Sequence, residues 1–412
     1  MPIDFARVPP QVPVPALPRP SKLIWSALLV GVLCLGAALT ILLWPAGRPT
    51  NTVRFWFYVA GYPVMTWALM LSGYLGFSSI RISQALAINR ASEIMEEACH
   101  AMAGKPRVML AHAWCFSCDD QENSAQGIVD GTLRIAPRPS GADPGVDVNA
   151  RWLQIPDRPF YPGNELTEHS RHRVVCDWLL QRLVEQIGKE LAQLPADTFL
   201  HVDLCIRSSV ELSELHARLE ALIRAKAPAI RLKIDASPDH LSLFSIDTWH
   251  DRLQPGDAQL LVSIQLCNAI SERLPDGAAE AGVAILLGSA GRTRSPATNT
   301  PKLHIHRPAI GGPDAAVQTV GLGVRWGQAS ASQVKTIWSH VPSEDFARPI
   351  KAAFSDGAKW VQVDKTIGDC AGTGGWLATA LAAEHALLTG EPQLVLSQQG
   401  SDMVALICRT QV

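Results

Sequence analysis

Residues 360–409 read WVQVDKTIGDCAGTGGWLATALAAEHALLTGEPQLVLSQQGSDMVALICR. A short apolar run at 360–363 is followed by Gly368, Gly372, Gly374 and Gly375, which crowd one turn. Residues 376–389 hold no Gly or Pro and predict a helix opening on that turn. Ser397, Gly400, Ser401 and Asp402 form a second small-residue loop, and the apolar run at 402–408 predicts a closing strand. A Gly-rich turn before a helix is ordinary by itself, because glycine frees the backbone wherever a helix starts tightly. The order strand, turn, helix, loop, strand is more specific.

Working outward, LQPGDAQLLVSIQL (253–266) reads as a helix end, a Gly turn and a buried strand. LPDGAAEAGVAILLGS (274–289) reads as an Asp-Gly turn and another strand. Further strands are predicted at 107–113, 200–206, 230–234, 259–266, 282–287 and 317–324, with helices at 172–193, 211–226, 240–253, 329–338 and 344–355. Alternation of this kind predicts α/β layers. The Pro/Gly-rich stretches 134–165 and 289–316 predict loops.

In this order the pieces at 200–412 resemble the C-terminal and central parts of the β-ketoacyl synthase/thiolase-like family. The resemblance implies a layered α/β/α/β/α domain of two similar halves, 105–290 and 317–412, joined by a loop at 291–316. It also implies where chemistry would sit. The family's second catalytic His falls on Asp369, and its Lys falls on Asp364. Counting back from Gly256 by the length of the family's nucleophile helix reaches Asp239 or His240, in DASPDHLSLFSI (235–246), where the family has its cysteine. The family's first His has its closest match in His340, within WSHVPSEDFARPIKAAF (338–354), where the family's glycines are missing. Cys370 reads either as a displaced nucleophile or as a turn cysteine packed under the helix. Asp239, His240, His340, Asp364, Asp369, Cys370, Ser397 and Gly400 are thus the expected lining of a vestigial cleft.

Condensing enzymes place donors where the thioester oxygen becomes negative, and a carboxylate there would repel that charge. Nucleophilic catalysis also needs a nucleophile and its activator together. The expectation is therefore a fold kept without condensing chemistry: not an enzyme, with no cofactor and no metal site.

Ahead of this domain, residues 23–44 form an uncharged run of the length that crosses a bilayer as a helix. A second uncharged run, 55–77, carries Trp56, Tyr58, Tyr62, Trp67 and Tyr74, residues that suit the headgroup region. The expectation is a transmembrane helical hairpin at 23–78, after a Pro-rich disordered tail at 1–22 and before a linker helix at 79–104. Arg7, Arg19, Lys22, Arg81 and Arg90 flank the pair, against Arg48 and Arg54 between the runs. That bias places both termini and the soluble domain on the cytoplasmic side of a bacterial inner membrane.

Composition narrows the rest. Formal net charge is −2, and no basic cluster marks a nucleic-acid surface. Eight of the nine cysteines lie outside the two uncharged runs, and, being scattered, they read as reduced and buried rather than as a disulfide framework. Cys115 and Cys118 sit beside Asp119, Asp120 and Glu122, which would raise their pKa values, so they read as structural thiols. EHSRHR (168–173) reads as a capped, solvated helix start, and His304 and His306 share one face of a short strand with no carboxylate set for a metal.

Two functions follow as expectations. The resemblance faintly extends to the lipase-adaptor group of type VI secretion, which implies a membrane-anchored adaptor or scaffold with a secretion cargo or spike component as partner. The alternative is an acyl-binding protein or condensing enzyme of lipid or polyketide metabolism at the membrane. Family members commonly dimerise, so a homodimer is an expectation of the same kind.

Overall fold

The computed structural model describes residues 5–16, 19–156, 158–237, 239–288, 302–354 and 357–411. The chain divides into two compact units, Ile3–His100 and a second spanning Ala101–Val412.

In the first unit, helix α1 spans Lys22–Leu43, and helix α2 spans Tyr62–Ala103, entered through a π-helical turn at Phe57–Gly61. The Trp67 indole donates to the Trp25 carbonyl (2.9 Å), and Pro63 fills the notch left by Gly36, so α1 lies closely on the following segment. Among the described residues α1 alone is long and apolar enough to cross a membrane. The expected second span is helical, but its Tyr, Pro, Ser and Gly residues dilute the leucines below that threshold. The Pro-rich tail, expected to be disordered, is strapped to α2 where it is described. Val12 exchanges two hydrogen bonds with the Asn89 side chain, and Ser92 donates to the Pro9 carbonyl.

The second unit is built on one eleven-stranded sheet. Its strands are β1 Arg107–Cys115, β2 Phe199–Arg207, β3 Arg231–Ser237, β4 Ala258–Gln265, β5 Ala281–Gly288, β6 Lys302–Ile305, β7 Ala309–Gly311, β8 Thr336–His340, β9 Lys359–Gln362, β10 Gln393–Gln399 and β11 Asp402–Gln411. Among the described residues six helices of eight residues or more pack on it: α3 Glu165–Gln186, α4 Leu212–Lys226, α5 Ser245–Arg252, α6 Ala316–Trp326, α7 Glu344–Ala353 and α8 Gly374–Thr389.

The strand order β9-β8-β10-β11-β6-β1-β5-β4-β2-β3 contains the same motif twice. In the first half β3, β2 and β4 run parallel, and β5 and β1 follow antiparallel. In the second half β9, β8 and β10 run parallel, and β11 and β6 follow antiparallel. The halves meet where β1 pairs with β6, and β7 adds to β11.

The helices repeat too. α3 and α4 cover one outer face through Leu179, Leu183, Leu219 and Ile223. α6 and α7 cover the other through Val320, Val324, Phe346 and Ile350. α5 and α8 lie in a central core with the inward residues of both halves, among them Leu261, Ile285, Val395 and Leu406. The result is five layers, α/β/α/β/α. β4 and β5 are buried at every position, as strands covered on both faces must be. α8 is apolar around most of its circumference, which suits a helix enclosed by two sheets.

Three stretches differ from the sequence reading. Residues 317–324 were expected as a strand but lie in α6, because Ala316, Val320 and Val324 recur at helical spacing and pack as one face. The expected helix at 329–338 is a capped turn at Ala331–Gln333 followed by β8, whose five residues are all buried. The expected loop at 291–316 includes β6 and β7, while its residues 291–301 lie outside the described ones.

Candidate functional site

The two central helices begin at turns that face each other. α8 follows the turn 368–373, and α5 follows 239–244. The turns are locked together: the Trp376 indole donates to the Leu241 carbonyl (2.9 Å), and the rings of Trp249 and Trp376 stack at 5.4 Å. Gly368 adopts φ +119° beside Gly277 and Ala279, where a Cβ would meet both backbone and side chain. Asp369 continues that contact, donating its N–H to the Gly277 carbonyl (2.6 Å) and accepting from Ala279 N at its own carbonyl.

Missing Cβ atoms in the turn make room for side chains from elsewhere. A Cβ on Gly372 would overlap the His240 ring, one on Gly374 would overlap His340 Nε2, and one on Gly375 would press on Ser397 Oγ. His240, His340 and Ser397, expected on one cleft from three distant stretches, therefore converge on a single Gly-rich turn. His340 ends β8 and Ser397 is its registered partner on β10. Ser263 and Thr373 share a buried hydrogen bond (2.8 Å), and Ser242 donates to Gln399. These last pairs were not read from the sequence.

His340 is buried, and its Nε2 lies 3.3 Å from Asp369 Oδ1, off the line that a hydrogen bond needs. That ring, with the Ala371 N–H at 2.8 Å from Oδ1, holds the half-exposed Asp369 carboxyl below its ordinary range despite partial burial. Asp364 accepts from Val341 N (3.2 Å), fixing the backbone just past His340 at a residue with φ +47°. His240 is exposed, and burial together with the nearby Arg207 guanidinium lowers its pKa. Asp239 is an exposed turn residue whose N–H is bonded to Ser237 Oγ. Gly400 does not join the turn: at φ +63° it serves the tight connection between β10 and β11.

Cys370 faces inward. Its thiol is fully buried, contacts the Gly368 carbonyl at 3.7 Å and is pushed well above the usual thiol range by burial. That is the packed turn cysteine, not an exposed nucleophile. Burial likewise pushes Cys115 up to about 12, and Cys118 is also raised. Among the described residues no cluster of His, Cys, Asp or Glu has the makings of a metal site.

The sequence reading of EHSRHR needs correction. Glu168, Arg171 and His172 are buried, not solvated. Arg171 bridges Glu168 (2.9 Å) and Glu280 (2.5 Å). Glu280 accepts from the N–H groups of Leu153 and Cys267, and Glu168 accepts from those of Ile270 and Ser271. The network fixes the loop after β4 and fills an interior that apolar side chains would otherwise fill.

No protein-family model matches the chain. No curated protein is similar to it. Solved structures are. A PfaC ketosynthase–chain length factor aligns with TM-score 0.51 at 9% identity, over 75% of this chain and 43% of that one. This chain therefore spans less than half the length of that relative. The C-terminal type III polyketide synthase domain of Steely1 from Dictyostelium aligns over 75% of this chain and 100% of that one, at 11% identity and TM-score 0.48. OleA of Xanthomonas campestris bound with cerulenin aligns over 75% and 98%, at 9% identity and TM-score 0.43. The duplicated strand order, the buried central helices and the first of these likenesses give the chain a thiolase-like, ketosynthase-like fold.

Proposed function

We propose that this chain is a non-condensing protein of the ketosynthase fold that holds an acyl group or acyl thioester of lipid or polyketide metabolism non-covalently, at a membrane. One observation carries the reading. The turn before α5, where the resemblance puts a nucleophilic cysteine, holds Asp239 and His240, and the thiol at the facing turn is buried. Condensation through an acyl-enzyme needs an exposed thiolate beside its activating base. Without one, the buried His340 imidazole and the half-exposed Asp369 are the polar groups this reading assigns to recognition of the ligand. The likeness to a ketosynthase–chain length factor suggests the ligand class. α1 is the membrane anchor in this reading, 55–77 the return span, and both termini and the residues after 104 are cytoplasmic at a bacterial inner membrane.

A second reading rests on a different observation. The chain's own side chains fill the turn, through Ser263 on Thr373, Ser242 on Gln399 and His240 on Gly372. A filled cleft favours an adaptor or scaffold, with a type VI secretion cargo or spike component as protein partner and a homodimer as its assembled form. In-cell crosslinking, extraction of native membranes in mild detergent and mass spectrometry of the captured partners separate the two. Acyl carrier protein or lipid-synthesis enzymes support the first reading. Spike, toxin or sheath components overturn it in favour of the second.

A further inference from the structure

The first unit carries a cleft that the proposed function leaves unused. It opens where α1 ends, has a volume of about 400 Å³, and is lined by Leu39, Trp44 and Tyr58 with Arg48 and Arg54. A second hollow of about 460 Å³ shares Leu39, Thr40 and Tyr58 with it and continues past Gly36 and Pro63. The two form one groove, cationic at the end of α1 and apolar along its length.

Three facts say what this groove fits. No Asp or Glu occurs anywhere from Phe5 to Ser92, so neither arginine has a carboxylate within that stretch to pair with. The Trp44 indole nitrogen is buried and has no hydrogen-bond partner, although a buried donor is costly to leave unmade. The rest of the lining is mainly apolar, with the Thr40 and Thr66 hydroxyls turned to the Gly36 and Tyr62 carbonyls, and it is continuous with α1, the helix apolar enough to cross a membrane. Two guanidiniums and an indole N–H beside an apolar channel match a phosphate head attached to an acyl chain. We infer that this groove is a binding site for an anionic phospholipid, with the phosphate between Arg48 and Arg54, the Trp44 N–H directed at it, and an acyl chain along the hollow past Gly36. The inference rests on the membrane-anchor part of the proposed function.

The test uses the full chain purified in mild detergent, with phosphatidylglycerol and phosphatidylcholine as probes and native mass spectrometry as readout. The wild type retains phosphatidylglycerol in preference to phosphatidylcholine. The double variant Arg48→Gln/Arg54→Gln loses that retention by about tenfold or more. Arg81→Gln/Arg90→Gln removes the same charge elsewhere on α2 and leaves retention unchanged. Leu39→Trp fills the hollow while keeping both arginines, and it also loses the lipid, which decides the matter should the double variant fail to fold. Equal retention by the wild type and Arg48→Gln/Arg54→Gln overturns the inference, as does equal loss in the Arg81/Arg90 control. Release of the wild type from membranes by alkaline carbonate sinks the anchor reading itself, a failure distinct from loss of the site alone.

Discussion

The ring of His340 occupies the space that a side chain on residue 374 would need, so the imidazole at the end of β8 and the first residue of α8 are fitted to each other through a missing Cβ. His340 is buried there and cannot swing into solvent.

That fit predicts strong coupling. Gly374→Ala overpacks the turn and should cost about 1–3 kcal/mol. Adding His340→Ala should recover part of the loss, giving a favourable coupling energy in the double-mutant cycle. Urea unfolding of the full chain in mild detergent measures it. Additive losses would show that the ring relaxes away from the turn.

Cys370 should be inert in the native protein. Its thiol is enclosed and its pKa is raised by burial, so the thiolate that reacts with iodoacetamide is scarce. Peptide mapping at pH 8 should find Cys370 unlabelled without denaturant and labelled with it. Rapid native labelling would revive it as a displaced nucleophile.

Arg171 should be costly to remove. Arg171→Met leaves Glu168 and Glu280 buried without their counter-ion, and a loss of about 3–5 kcal/mol is expected. The pH dependence adds a second readout. Burial works to raise the Glu168 pKa, but the Ile270 and Ser271 N–H groups and Arg171 outweigh it and hold it low. A depressed carboxyl pKa stabilises the fold above the unfolded value, about 4.3, and that stability is lost as pH falls through the folded value. The wild type should therefore lose stability below about pH 4.3, and Arg171→Met should flatten that slope.

Buried histidines should impose a slope at milder pH. Burial, with Arg307, Arg107 and His306, depresses His250 well below its ordinary pKa, and burial takes His306 down to about 4. The unfolded chain binds protons at these sites from about pH 6.5 downward while the folded chain does not, so stability falls as pH drops through that window. Each such histidine contributes up to about 1.4 kcal/mol per pH unit. The unfolding midpoint should fall between pH 6.5 and 5, and His250→Phe should reduce the proton uptake on unfolding by about one.

Much of the fold was legible because its pieces are locally decisive. β5 is an unbroken apolar run and β4 a largely apolar one, set off by Gly277 and Gly256, and α8 opens on four glycines. The segment that became α6, AVQTVGLGVRW, is rich in β-branched residues and glycine, and it is helical because packing on the sheet overrides propensity. The turn's convergence was legible in part: His240, His340, Asp369 and Ser397 were expected, whereas the Ser263–Thr373 and Ser242–Gln399 pairs join residues more than a hundred positions apart. The Arg171–Glu280 bridge was invisible for the same reason, since nothing local distinguishes a buried EHSRHR from a solvated one.

The most direct test of the central claim is intact-mass analysis of the full chain after incubation with an acyl-coenzyme A, under native and then denaturing conditions. The account predicts a non-covalent adduct that survives native spray and disappears on denaturation, weakened by His340→Ala, with no acyl mass left on the chain. An acyl group that stays bound through denaturation and maps to a cysteine would contradict it.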